Sequence, residues 1–127
     1  MIKLLYVAAG GAFGAMARYG LGVATTRLFG PGWPVGTFTA NVLGGALMGF
    51  LVGYLAHRGG TDQERLRLLL GVGFLGGFTT FSAFSLETAL MIERRDLLQA
   101  GTYIAASVTL SVVTLFGGLF LARRLFP

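Results

Sequence analysis

Ten residues inside a long apolar run bring together small, hydroxyl and aromatic side chains: Gly76-Gly77-Phe78-Thr79-Thr80-Phe81-Ser82-Ala83-Phe84-Ser85. Two adjacent glycines followed by two β-branched threonines are poor helix material. In hydrocarbon a broken helix frees backbone amides and carbonyls, which is tolerated only where protein or a water-lined cavity satisfies them. Carbonyls of an unwound segment can coordinate a small cation. A merely kinked helix is the plainer alternative. Phe81 and Phe84 are three apart and share a helix face. An aromatic ring has a positive edge. Two edges aimed at one point could stabilise an anion and still release it. The plainer reading makes both rings core or lipid-facing.

Other polar residues lie within apolar runs. Asn41 is an amide at membrane depth, able to glue helices together or to line a path. Tyr103, Ser107, Ser111 and Thr114 follow at i, i+4, i+8 and i+11. At 100° per residue they fall within about 80° of one another, a single hydroxyl stripe. Such donors suit a strongly hydrated anion, although Ser and Thr also bond their own helix carbonyls. Arg18 and Glu87 are charges inside apolar runs. Each must lie near an end, be paired, or face a wet vestibule, because a central Arg costs at least ~2.5 kcal/mol on insertion scales. The chain has no Cys and one His. That removes disulfides and thiol chemistry, and leaves little for a metal site or a catalytic triad.

The elements that must position these residues follow from composition. Of 127 residues, 54% are hydrophobic and 12% charged, and the mean hydropathy is +0.74. A soluble domain carries about 25% charged residues, so this chain cannot cover a water-soluble surface, and it is too apolar for disorder. The net charge of +5 fits loop anchoring at a membrane rather than nucleic-acid binding. A spanning helix needs about 20 apolar residues, and charges and Pro/Gly turns mark four such runs. They are Leu4 to Thr26, Val35 to Ala56, Leu66 to Ile92 and Leu98 to Ala122. The turn Phe29–Pro34, a polar loop His57–Arg65 and the charges Glu93–Asp96 separate them. The chain therefore reads as all-α, with residues 1–127 one four-helix membrane domain. Lys3, Leu4–Ala9 and Ala15-Met16-Ala17 mimic a secretory signal, but the apolar pattern continues to Thr26 and reads as a span. Six Lys/Arg (Lys3, Arg58, Arg65, Arg67, Arg123, Arg124) share the face of the termini, and three (Arg27, Arg94, Arg95) lie opposite. This modest bias favours cytoplasmic termini.

Glycines recur at helical spacing: Gly10 and Gly14; Gly45, Gly49 and Gly53; Gly73 and Gly77. Small residues four apart let backbones approach, which predicts a tight bundle and self-association. Gly71-Val72-Gly73-Phe74-Leu75-Gly76 fits a dinucleotide fingerprint, but lying inside an apolar span it is a chance match.

Three stretches together resemble the Fluc (CrcB) family of fluoride channels. They are Gly10-Gly11-Ala12-Phe13-Gly14-Ala15-Met16-Ala17-Arg18-Tyr19, Gly36-Thr37-Phe38-Thr39-Ala40-Asn41-Val42-Leu43-Gly44 and Gly73–Phe84. The resemblance implies an antiparallel, dual-topology homodimer in the cell's inner (cytoplasmic) membrane, with two pores that export fluoride passively and confer fluoride resistance. It implies a central structural sodium ion on the backbone carbonyls of Gly76 and Thr79, at a break in the third helix. It assigns Phe81, Phe84, Asn41, Thr37 and Ser82 to the fluoride path. Tyr103, Ser107 and Ser111 become its polar track, and Arg18 and Glu87 its vestibules. The implied partners are fluoride, a second copy and lipid, with no nucleic acid and no catalysis. A small multidrug exporter would carry a first-span Glu, where this chain has Arg18. A membrane enzyme would need converging acids, bases or metal ligands, which scattered carboxylates and one loop His do not offer.

Overall fold

The computed structural model describes residues 1–58 and 61–127. All regular structure among the described residues is helical. Helix α1 runs Ile2–Phe29 and α2 runs Val35–Arg58. A short α3, Thr61–Leu66, leads into a π-helical stretch, Arg67–Leu75, and then α4, Gly76–Phe78. After an extended pair of residues come α5, Phe81–Glu93, and α6, Leu97–Leu125.

Boundaries fall where local chemistry forbids a helix. Gly30 takes φ +79°, a left-handed conformation glycine adopts without penalty, and its N–H closes α1 on the Thr26 carbonyl at 2.8 Å. Pro31 and Pro34 hold the turn that follows. The polar loop expected at His57–Arg65 is instead largely helical at both ends, and its Gly59 and Gly60 lie outside the described residues. Asp62 and Glu64 fall in the first turn of α3, where the helix dipole favours acids. Lys3 pairs with Glu64 at 3.0 Å in the open, tying the start of α1 to α3.

Among the described residues, three segments are long and apolar enough to cross a membrane: Val35–His57, Asp62–Glu93, which contains the break, and Leu97–Leu125. Helix α1, with 28 residues, is about 42 Å long but carries Arg18 within its apolar run. Large apolar side chains cover the outside, including Leu98, Phe81 and Tyr19, and few side chains are buried.

Glycine decides how the helices meet. Helix α2 lies along α6, and α1 along the π-helical stretch. A Cβ on Gly49 would collide with the Leu115 carbonyl, and one on Gly118 with the Ala46 carbonyl. Gly10 and Gly14 meet the backbone near Phe74 in the same way. The Gly45/Gly49/Gly53 row is thus a contact row against α6. The fingerprint-like glycines serve packing too: Gly73 lies against Gly10.

These contacts predict opposite signs for two similar changes. Alanine favours an exposed helix over glycine by roughly 1 kcal/mol. Gly20→Ala, where a Cβ meets nothing within 4 Å, is expected to raise the thermal aggregation midpoint in detergent. Gly49→Ala is expected to lower it, since overpacking against backbone costs about 1–3 kcal/mol. A stabilising Gly49→Ala would refute the close α2–α6 approach.

Candidate functional site in the broken helix

The break comes later than the glycine pair. Gly76 and Gly77 are helical. Thr79 and Thr80 are extended, with φ/ψ of −90°/155° and −152°/125°. The break falls within the Gly76–Ser85 stretch where the sequence predicts one, at the two threonines. Gly77 stays helical because its missing side chain lets α1 approach: a Cβ there would sit 2.6 Å from the Gly11 carbonyl. The β-branched threonines take up the extended conformation.

Side chains repair the break. Asn41 of α2 forms two hydrogen bonds with one residue. Its Nδ2 donates to the Thr80 carbonyl at 3.0 Å, and its Oδ1 accepts from the Thr80 N–H at 2.8 Å. The backbone groups fix which way the amide faces. The Thr80 hydroxyl accepts from the Ala83 N–H at 3.2 Å and so caps α5. In a continuous helix the Thr80 and Ala83 N–H groups would bond the carbonyls of Gly76 and Thr79. Both donors are instead held by side chains, which releases those two carbonyls. The Thr79 hydroxyl turns back to the Leu75 carbonyl at 2.9 Å, and Ser82 shares a 3.1 Å hydrogen bond with Thr80. Gly76, Phe81 and Ser82 are exposed on this chain. Among the described residues no three His, Asp or Glu side chains gather as a metal site.

A groove of about 370 Å³ opens beside the break. Asn41, Thr80, Phe81, Phe84, Ser107 and Ser111 all line it. The Phe81 and Phe84 rings lie 5.6 Å apart; Phe84 is buried and Phe81 is 77% exposed. Ser107 is buried, and its hydroxyl has no hydrogen-bond partner. An orphaned hydroxyl in such a place is rare in a folded protein and calls for a reason.

The rest of the hydroxyl stripe goes elsewhere. The Thr114 hydroxyl donates to the Val42 carbonyl at 2.9 Å and serves helix packing. The Tyr103 hydroxyl donates to Glu87 Oε1 at 2.9 Å, and the Thr37 hydroxyl donates to Glu87 Oε2 at 2.9 Å. Glu87 therefore holds α2, α5 and α6 together through two neutral donors rather than an ion pair. This convergence escaped sequence reasoning; the one signal was a lone carboxylate in an apolar run, which must find donors. Thr37 and Glu87 also line a second cavity, of about 290 Å³, beneath the turn that carries Trp33. Phe84 lines the groove and Glu87 lines this second cavity, and Tyr103 touches both, its ring 5.1 Å from Phe84 and its hydroxyl on Glu87. Arg18 of α1 reaches the helix just before the break. It is half-buried, and its Nε donates to the Gly77 carbonyl at 3.2 Å. Sequence placed Thr37, Tyr103, Ser107 and Ser111 on one path. Geometry divides them into a groove set and a Glu87 set that meet at Phe84.

Comparison with known proteins agrees on what kind of chain this is. The model of the family described as CrcB-like protein, Camphor Resistance (CrcB), matches residues 5–119. A protein of Phenylobacterium zucineum named fluoride-specific ion channel FluC is 68% identical over 126 residues, covering 99% of each chain. Its namesake in Caulobacter vibrioides is 64% identical over 126 residues with the same coverage. One from Hyphomonas neptunium is 49% identical, again over 99% of each chain.

Proposed function

Because this chain belongs to the CrcB family, we propose that it is a passive, selective fluoride channel of the cytoplasmic membrane, working as an antiparallel homodimer with two pores. Its full-length relatives are named fluoride-specific ion channels, and such proteins carry ions without catalysing a reaction. The observation that carries the reading for these residues is the groove beside the break. It gathers the unpartnered Ser107 hydroxyl, Ser111, the Asn41 amide and the rings of Phe81 and Phe84.

Fluoride is small and strongly hydrated, so it leaves water only where donors are dense. Hydroxyl and amide donors replace part of its shell. Ring edges add weak positive potential without a full cationic charge, and the ion can leave again. Each Asn41 amide spends one N–H on Thr80 and keeps a second for the ion. Glu87, on the far side of Phe84, is an acceptor that gathers the Tyr103 and Thr37 hydroxyls near the next stage of the path. Conduction runs down the gradient, which for a cell loaded with fluoride means export. Arg18, although it also ties α1 to Gly77, supplies positive potential to a vestibule.

One chain alone leaves Phe81 and Gly76 exposed beside the groove and the released carbonyls without a backbone partner. At membrane depth such polar backbone must be covered by protein. A second copy related by a two-fold axis covers it with the same surface and brings the two breaks together, with α1, long enough at 28 residues, as the fourth span of each subunit. The Gly76 and Thr79 carbonyls of both copies then suit a sodium ion, a hard cation that takes oxygen ligands. Bound there, sodium would neutralise four converging carbonyl dipoles and lock the interface.

Purified protein in liposomes loaded with fluoride and chloride is expected to release fluoride and retain chloride, read by ion-selective electrodes. Release no faster than from protein-free liposomes would sink the proposal.

A further inference from the structure

Trp33 is the chain's sole tryptophan. It lies between α1 and α2, in a turn restricted by Pro31 and Pro34. The path described above does not use it, yet its ring is fixed from two sides. It meets Phe38 edge-on at 5.0 Å and 64°, and Tyr103 at 5.1 Å and 80°. Tyr103 also meets Phe84, with ring centroids 5.1 Å apart, and Phe84 meets Phe81 in turn. Trp33 is half-buried and covers a Tyr103 that is 0% exposed. It also lines the cavity that holds Thr37, Glu87 and Arg94.

We propose that Trp33 is a positioning residue for the conduction path: its indole wedges the Tyr103 ring against Phe84, so that the phenol stays on Glu87 and water from the loop side stays out. The role rests on the fluoride-channel reading, and the placement does not. Without the indole, Tyr103 faces an enlarged cavity on that side. Its ring gains rotamer freedom, its hydroxyl gains water as a competing partner, and Phe84 loses the support that sets its edge. A tryptophan that merely anchors the loop at the membrane interface would act independently of Tyr103, and this difference makes the proposal testable.

Two measurements decide it. The first is tryptophan emission of the purified protein in detergent, which reports Trp33 alone. Tyr103→Leu is expected to shift the emission to the red as water reaches the indole, whereas Tyr103→Phe, which keeps the ring, leaves it unchanged. An unshifted Tyr103→Leu spectrum would overturn the wedge. The second is fluoride efflux per dimer from liposomes. Trp33→Ala is expected to slow it about tenfold and Trp33→Phe to restore most of it, as misplaced site groups commonly do. In a Tyr103→Phe background, with no phenol to misplace, Trp33→Ala is expected to add less than twofold. An equal loss in both backgrounds would overturn action through the phenol. Absence of efflux from the wild-type protein would remove the channel reading and with it the functional role, while the emission series still judges the wedge.

Discussion

Asn41→Asp is expected to reduce fluoride efflux at least about a hundredfold while the dimer survives. The substitution keeps shape and changes two things. One carboxylate oxygen still accepts from the Thr80 N–H, as Oδ1 does at 2.8 Å. The other replaces a donor that sits 3.0 Å from the Thr80 carbonyl, so attraction becomes repulsion between two oxygens. A buried donor or acceptor left without a partner costs about 1–3 kcal/mol. More damaging for conduction, a full negative charge now lines the groove beside Phe81, Phe84 and Ser107. Two unit charges 4 Å apart repel by about 4 kcal/mol at an effective dielectric of 20, enough to suppress occupancy by an anion about a hundredfold or more. Efflux measured alongside the gel-filtration profile separates the two effects. Efflux within threefold of wild type would confine Asn41 to holding the broken helix.

The same residue illustrates what a linear reading can reach. An amide in an apolar run signals a buried partner or a polar path, and Asn41 has a partner while lining a groove. The runs themselves were legible because charge, proline and glycine punctuate them sharply, and α1, α2, α5 and α6 end within a few residues of those marks. Glycine rows were legible because spacing of four is a property of one helix. What lay beyond reach depends on pairs of helices. Thr37 is 50 residues from Glu87, and nothing in either segment tells which face of α2 meets α5. The hydroxyl stripe on α6 is a true stripe, yet its members meet different neighbours along its length. Tyr103 reaches Glu87, Ser107 reaches the groove and Thr114 reaches the Val42 carbonyl. The π-helical stretch left no periodic trace, since nine residues are too few to separate its repeat from that of an α-helix. The break falls at the threonines of the Gly76–Ser85 stretch and not at its glycines because packing against α1 keeps Gly77 in the helix.

Ser107→Ala separates function from stability in the opposite sense to Asn41→Asp. The Ser107 hydroxyl is buried with no partner, so folding gains nothing from it and bears the desolvation of an unsatisfied group, about 1–3 kcal/mol. Alanine removes that burden and favours the helix interior of α6. The thermal aggregation midpoint is therefore expected to hold or rise. Conduction is expected to move the other way. A hydrogen bond to a charged group contributes about 1.5–3 kcal/mol, which corresponds to a loss of roughly ten- to a hundredfold in fluoride efflux when the donor disappears from a narrow path. Ser107→Thr keeps the hydroxyl and is expected to retain more efflux than alanine, even if its extra methyl group strains the packing. An alanine variant that is more stable and conducts normally would assign the orphaned hydroxyl to chance and leave the groove without its central donor. One that loses stability would place a hidden partner on that oxygen. Only a channel that keeps an unsatisfied donor for a passing anion yields higher stability and lower flux from a single deleted atom.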